Sequence, residues 1–217
     1  MRIIPSIASA RMLNIEDSLR RMSGCSSLHL DIEDGNFIPN ITFGIKTIRE
    51  ISRASDIPLN AHLMVTNPEK YITPLGECGV KEIAFHLESS PYPLEIIHKI
   101  KRMGMKAGLA YNFATAIENG EAFFDDIDFL LVMTSEADGE DQRFRQSSLK
   151  RIRCARKLLG SKKPLWVDGG VGEKELPLVY GAGADTAVMG RAVVSDSNPV
   201  EKMKHLESLI LERGHME

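Results

Sequence analysis

The sequence predicts an α/β protein folded as a single (β/α)₈ TIM barrel spanning residues 1–217. Three observations carry this prediction. Eight short apolar runs rich in Val, Ile, Leu and Phe recur along the chain, and segments with helical spacing separate them. Several of those segments close on a glycine, where a helix ends. The length of 217 residues suits one closed barrel. Strict alternation implies parallel strands joined by crossover helices. An open doubly wound sheet would also alternate, but no GxGxxG follows the first strand.

The strand candidates, in order, are RIIPSIA (2–8), SLHLDI (27–32), PLNAHLMV (58–65), EIAFHLE (82–88), KAGLAYN (106–112), DFLLVMT (128–134), PLWVDGG (164–170) and DTAVMG (185–190). Each is short and largely apolar, and Val, Ile, Leu and Phe recur across the set. Between them, IKTIREISRA (45–54) repeats isoleucine at helical spacing. PEKYITPLGECG (68–79), PLEIIHKIKRMG (93–104), SLKRIRCARKLLG (148–160) and EKELPLVYGAG (173–183) end on glycine. No linker or low-complexity tract divides the chain, and the eight units share no sequence repeat.

Composition narrows the function classes. A net charge of -3 and a pI near 6.1 give no basic surface for nucleic acid. Cys25, Cys78 and Cys154 are far apart and odd in number, so neither a disulfide framework nor a thiolate metal cluster is indicated. No apolar stretch reaches the length of a membrane span, and the chain opens without a leader-like segment. A cytoplasmic protein with no membrane partner is expected.

Catalytic groups on such barrels stand at the carboxyl ends of the strands. In SLHLDI, His29 and Asp31 are two residues apart and project to one side of a strand. His62 ends the third strand and Asp168 the seventh. An isolated His-x-Asp is commonly a hydrogen-bonded structural pair, but four such groups at three strand ends suit one divalent metal ion, Zn²⁺ or Fe²⁺, Mn²⁺ or Co²⁺. His86, at another strand end, is either a fifth polar group of the site or a histidine satisfied behind it. Asp34-Gly35 reads as tight-turn chemistry.

PSIASA (5–10), LHLDIEDGNFIPNITFG (28–44), HLMVTNPEKYI (62–72) and WVDGG (166–170) together resemble the ribulose-phosphate 3-epimerase family, over almost the whole chain. SLHLDIED, NITFGIKT, VMTSEADGEDQRF and MGRAVVSDS resemble its divergent SgcE-type branch. The resemblance implies a ribulose-phosphate-binding barrel with His29, Asp31, His62 and Asp168 as metal ligands, Asp31 and Asp168 doubling as the proton-transfer groups. It implies Ser6 and His62 at the substrate, and Met64 in an apolar wall, a position that plain core packing also explains. The family's methionine before Asp-Gly is here Glu33. A sugar phosphate substrate and a homo-oligomer are implied too.

Epimerisation beside a ketone removes a proton from one face and returns one to the other, so an acid/base group is needed on each side. A metal would polarise the ketone oxygen and stabilise the enediolate. Another enolate-type reaction on the same barrel, such as decarboxylation or aldol cleavage, is an alternative, but those enzymes often use a strand-end lysine and none is placed here, which favours epimerisation; a noncatalytic sugar-binding barrel is the other alternative. The family's loop Asn-Pro-Gly-Phe-Gly-Gly-Gln corresponds to Glu136–Gln142, which keeps Gly139 but adds Asp138, Glu140 and Asp141. Acids near a phosphate are unfavourable unless turned outward. Gly169, Gly170 and Gly190 remain, and Arg191 stands where the family usually has serine, either facing the phosphate or solvated at a helix start. Arg143 is a weaker candidate of the same kind.

Overall fold

A computed structural model describes residues 1–137 and 142–213. All eight expected strands form: β1 (Arg2–Pro5), β2 (Leu28–Glu33), β3 (Leu59–Met64), β4 (Glu82–His86), β5 (Lys106–Tyr111), β6 (Phe129–Met133), β7 (Leu165–Asp168) and β8 (Thr186–Met189). They pair in parallel in the order β1-β8-β7-β6-β5-β4-β3-β2. A parallel bridge between Ser6 and His29 joins the two ends, so the sheet closes into a barrel. That junction sets the first strand's Ser6 beside the residues that begin the site.

Helices α1 (Ile15–Arg21), α2 (Ile45–Ala54), α3 (Glu69–Glu77), α4 (Pro93–Arg102), α5 (Ser148–Leu159), α6 (Leu176–Gly181), α7 (Arg191–Val194) and α8 (Pro199–Arg213) follow the strands. The five segments with helical spacing each carry a helix; α1, α7 and α8 were not among them. After β5 the connection is a 3₁₀ helix, Ile117–Phe123, in place of an α-helix. On α2, Ile48 and Ile51 are buried against the barrel while the charged face is exposed. Among the described residues no helix is long and apolar enough to cross a membrane.

The strands are buried on both faces, as a parallel barrel requires. Outward side chains join the helices in the main core, and an inner cluster of Ile4, Ala84, Ala110, Phe129, Leu131 and Trp166 fills the barrel with Met133 and Val188. The amino-terminal end is plugged by polar pairing: Arg2 reaches Glu82 at 3.4 Å and Ser27 at 2.6 Å, and Lys106 reaches Glu82 at 3.3 Å. A packed lumen closed at one end leaves the carboxyl ends of the strands as the open mouth.

Candidate metal centre and active site

Alternation along the strands places the polar residues inward at the mouth. His29, Asp31 and Glu33 on β2, Asn60, His62 and Met64 on β3, and Asp168 on β7 share that interior. One ligand atom from each of His29, Asp31, His62 and Asp168 lies within 4.8 Å of the others. His29 Nε2 is 3.2 Å from Asp31 Oδ1 and 3.7 Å from Asp168 Oδ2; His62 Nδ1 is 3.6 Å and 3.2 Å from the same two oxygens. Ligands of one ion at about 2.1 Å stand roughly 3–4 Å apart, so little movement would bring these four onto a cation. His29 Nε2 and Asp31 Oδ1 are also buried without a hydrogen-bond partner. Two orphaned polar atoms within a close set of two imidazoles and two carboxylates fit a divalent ion.

Groups behind the ligands fix their orientation. Asn60 Oδ1 takes the Nδ1 side of His29 at 2.5 Å, leaving Nε2 for the cluster. His62 Nε2 lies 2.8 Å from His86 Nε2, and His86 Nδ1 lies 3.3 Å from Glu88 Oε2. With Glu88 accepting from His86 Nδ1, His86 Nε2 is left as an acceptor, so His62 donates from Nε2 and a metal would replace the proton on Nδ1. Glu88 is itself fixed by the amide of Asn112 at 2.9 Å. Ser6 Oγ donates to Asp31 Oδ2.

Electrostatics follow from this packing. Burial favours the neutral acid at Asp31, but the adjoining imidazoles of His29 and then His62 outweigh it and hold the carboxyl well below the usual range. Burial likewise opposes charge on His62, yet its bonds to Asp168 and Asp31 raise it to about 9. Burial drives His86 down to about 4, against the pull of Glu88, in keeping with a neutral ring. Glu33 is pushed up to about 7 by burial and the neighbouring Asp31, while Asn40 Nδ2, donating at 2.6 Å, opposes the rise.

The model of the ribulose-phosphate 3 epimerase family matches residues 2–194. The chain belongs to that family. Ribulose-phosphate 3-epimerase of Bacillus subtilis is 33% identical over 204 residues, covering 91% of this chain and 94% of its own. The Mycobacterium tuberculosis protein of that name is 32% identical over 200 residues (91% and 87%), and that of Methanocaldococcus jannaschii 31% over 217 (98% and 92%). Among solved structures, orotidine 5'-phosphate decarboxylase from Pyrococcus horikoshii superposes with a TM-score of 0.67 at 15% identity, covering 96% of this chain and 98% of that one. A tryptophan synthase α-subunit from Pyrococcus furiosus gives 0.69 at 14%, covering 98% and 97%. These two share the barrel architecture. Family membership makes the chain an isomerase-class enzyme, an epimerase acting on carbohydrates.

Asp31 and Asp168 line two cavities. One of about 240 Å³ runs from Ser6, Asp31 and Asp168 to Gly170, Gly190 and Arg191. The other, about 100 Å³, runs from the same aspartates to Glu33, Asn40, Thr42, Met64 and Met133. Met64 is therefore both packed and part of the wall, and Arg191 is exposed at the start of α7 yet on the cavity rim, its Nη2 3.5 Å from Gln142 O. Gly169 and Gly170 have φ of +112° and +68°, and a Cβ on Gly170 would sit 2.5 Å from the Phe144 amide nitrogen. The exposed Arg143 is not among the residues lining either cavity. Gly139 and the acids Asp138, Glu140 and Asp141 lie outside the described residues. Asn60, Glu88 and the position of Glu33 were missed from sequence; Asn60 had a signal, standing two residues before His62 on one strand face.

Proposed function

We propose that the chain is a metal-dependent 3-epimerase of a ketose phosphate, a pentulose 5-phosphate or hexulose 6-phosphate. The observation that carries this reading is the placement of Asp31 and Asp168, brought by β2 and β7 to one buried ligand cluster with their oxygens within 4.8 Å. His29, Asp31, His62 and Asp168 would hold a Zn²⁺, Fe²⁺, Mn²⁺ or Co²⁺ ion, which would supply positive charge for the ketone oxygen and the enediolate. Asp31 takes the C3 proton from one face and Asp168 delivers one to the other, with the roles exchanged in the reverse direction. Ser6, bonded to Asp31, holds that carboxylate toward the substrate. His62 completes the contact to the reacting end, and Met64 and Met133 exclude water beside it. Gly169, Gly170, Gly190 and Arg191 take the phosphate, and Gly139, outside the described residues, is assigned to the same task.

Among the described residues, none of the eight strands ends in a lysine, which favours proton transfer over decarboxylation or aldol cleavage. The test incubates metal-reconstituted protein in D₂O with ketose phosphates of five and six carbons and follows deuterium at C3 by NMR. Exchange that disappears on chelation and falls about 10²–10⁴-fold in Asp168→Asn is expected. Normal turnover by metal-loaded Asp168→Asn would discard the two-aspartate assignment.

A further inference from the structure

Glu33 is a carboxyl residue only 9% exposed, sealed into the wall of a site built to bind a polar ligand. One of its oxygens accepts from Asn40 Nδ2 at 2.6 Å. The other has no hydrogen-bond partner among the described residues. That oxygen is open to the cavity that Glu33 lines, where a ligand hydroxyl can pair with it.

Asp31 and Asp168 line both cavities; one also takes in Gly170, Gly190 and Arg191, the other Glu33, Asn40 and Thr42. On the reading above, the phosphate occupies the end formed by Gly170, Gly190 and Arg191, and C3 lies between the aspartates. A ketose chain running through that point puts its other end, the carbonyl carbon's unphosphorylated neighbour C1, in the corner of Glu33, Asn40 and Thr42.

We propose that Glu33, held by Asn40, is a specificity-determining residue that binds the C1 hydroxyl, so that the enzyme takes 1-hydroxyketose phosphates and rejects 1-deoxyketose phosphates. Thr42 supports this corner: its Oγ accepts from the Glu33 amide at 3.2 Å and donates to Asp31 O at 2.5 Å, tying it to a ligand-bearing strand. A site whose buried polar group pairs with a substrate hydroxyl penalises the analogue that leaves it unpaired.

The inference rests on the epimerase reading, and one experiment separates the two. C3 deuterium exchange is measured for a ketopentose 5-phosphate and its 1-deoxy analogue, with metal-loaded wild type, Glu33→Gln and Glu33→Met. The wild type is expected to favour the hydroxylated substrate in kcat/KM by about 10–100-fold. Glu33→Gln, whose oxygen keeps the Asn40 bond and whose NH₂ still pairs with a hydroxyl oxygen, retains most of that ratio; Glu33→Met, apolar and of similar length, brings it near one. A carboxyl that serves only to hold the Asn40 loop would change stability and leave the ratio intact. A wild-type ratio near one, or an undiminished ratio in Glu33→Met, overturns the proposal even if the variant is less stable. Wild type inactive on every ketose phosphate overturns the epimerase reading and the inference with it.

Discussion

Asp34, read from sequence as a turn residue, does more than turn the chain, and replacing it with asparagine separates its two tasks. Its Oδ1 accepts from the amides of Asn36 and Phe37 at 2.9 and 2.8 Å, which closes the turn. Its Oδ2 accepts from the amide and hydroxyl of Thr66, both at 2.8 Å, which clasps the loop after β2 to the loop after β3. An Asn side chain keeps one accepting oxygen for the turn but turns an NH₂ group toward Thr66, so Asp34→Asn opens the clasp. Burial is the largest single influence and favours the protonated acid, but the bonds from Phe37, Thr66 and Asn36 together win and hold the carboxyl at about 2 instead of 3.8. At 1.36 kcal/mol per pH unit that is an upper bound of about 2.4 kcal/mol, which solvent screening at this partly exposed position reduces to about 1 kcal/mol. In a domain of this size the loss appears as a fall in Tm of about 2–4 °C.

The pH dependence gives that prediction its sign. A carboxyl whose folded pKa is depressed contributes stability above its unfolded pKa, and that contribution disappears as pH falls through the folded value. The stability difference between wild type and Asp34→Asn should be constant above about pH 5, shrink below pH 4 and vanish near pH 2. Urea unfolding at a series of pH values measures it. Equal stability of the two proteins at pH 7, or a difference that persists unchanged into acid, would refute the reasoning.

Three other outcomes follow from the geometry. Adding metal to chelated protein at about a hundredfold excess over Kd should raise Tm by about 5–10 °C, and His29→Ala should abolish the rise; a melt indifferent to metal contradicts the cluster as a binding site. Glu88→Gln, which loosens the His86 orientation behind His62, should weaken metal binding about 10–100-fold by calorimetric titration, and an unchanged Kd would mean that the His62–His86–Glu88 chain does not orient the ligand. Ile4→Ala, fully buried in the lumen against residues such as Phe129 and Trp166, should cost about 2–5 kcal/mol in urea unfolding with no direct effect on metal affinity.

The strands were legible because each is a short apolar run bounded by turn residues, and the four metal-ligand candidates because His and Asp are out of place in such runs. The helices were legible only where length and periodicity combined. The four residues of α7 are too few to show a period, and the connection after β5 tightens into a 3₁₀ helix without an apolar stripe to mark it. Gly139 and the acidic loop could be read against the resemblance alone, since no periodic pattern constrains a loop.

Depth in the barrel was the part that sequence alone could not supply. Period-two alternation says that His29, Asp31 and Glu33 face inward together, as do Asn60 with His62 and Ala84 with His86, but it does not rank them along the barrel axis. The rank comes from the stagger between strands, which is a property of the closed sheet. With His62 in register with Ala84, His86 sits two residues nearer the mouth on the adjacent strand, where its ring stacks at 4.9 Å on His62 and turns Nε2 toward it. The same register pairs Asp31 with His62 and Glu33 with Met64, so Glu33 lies above the ligand layer, at the height where a substrate's free end would rest. A glutamate one residue earlier or later on β2 would face the helices; only the inward parity makes this carboxyl part of the site, and only the stagger makes it a wall residue in place of a fifth ligand.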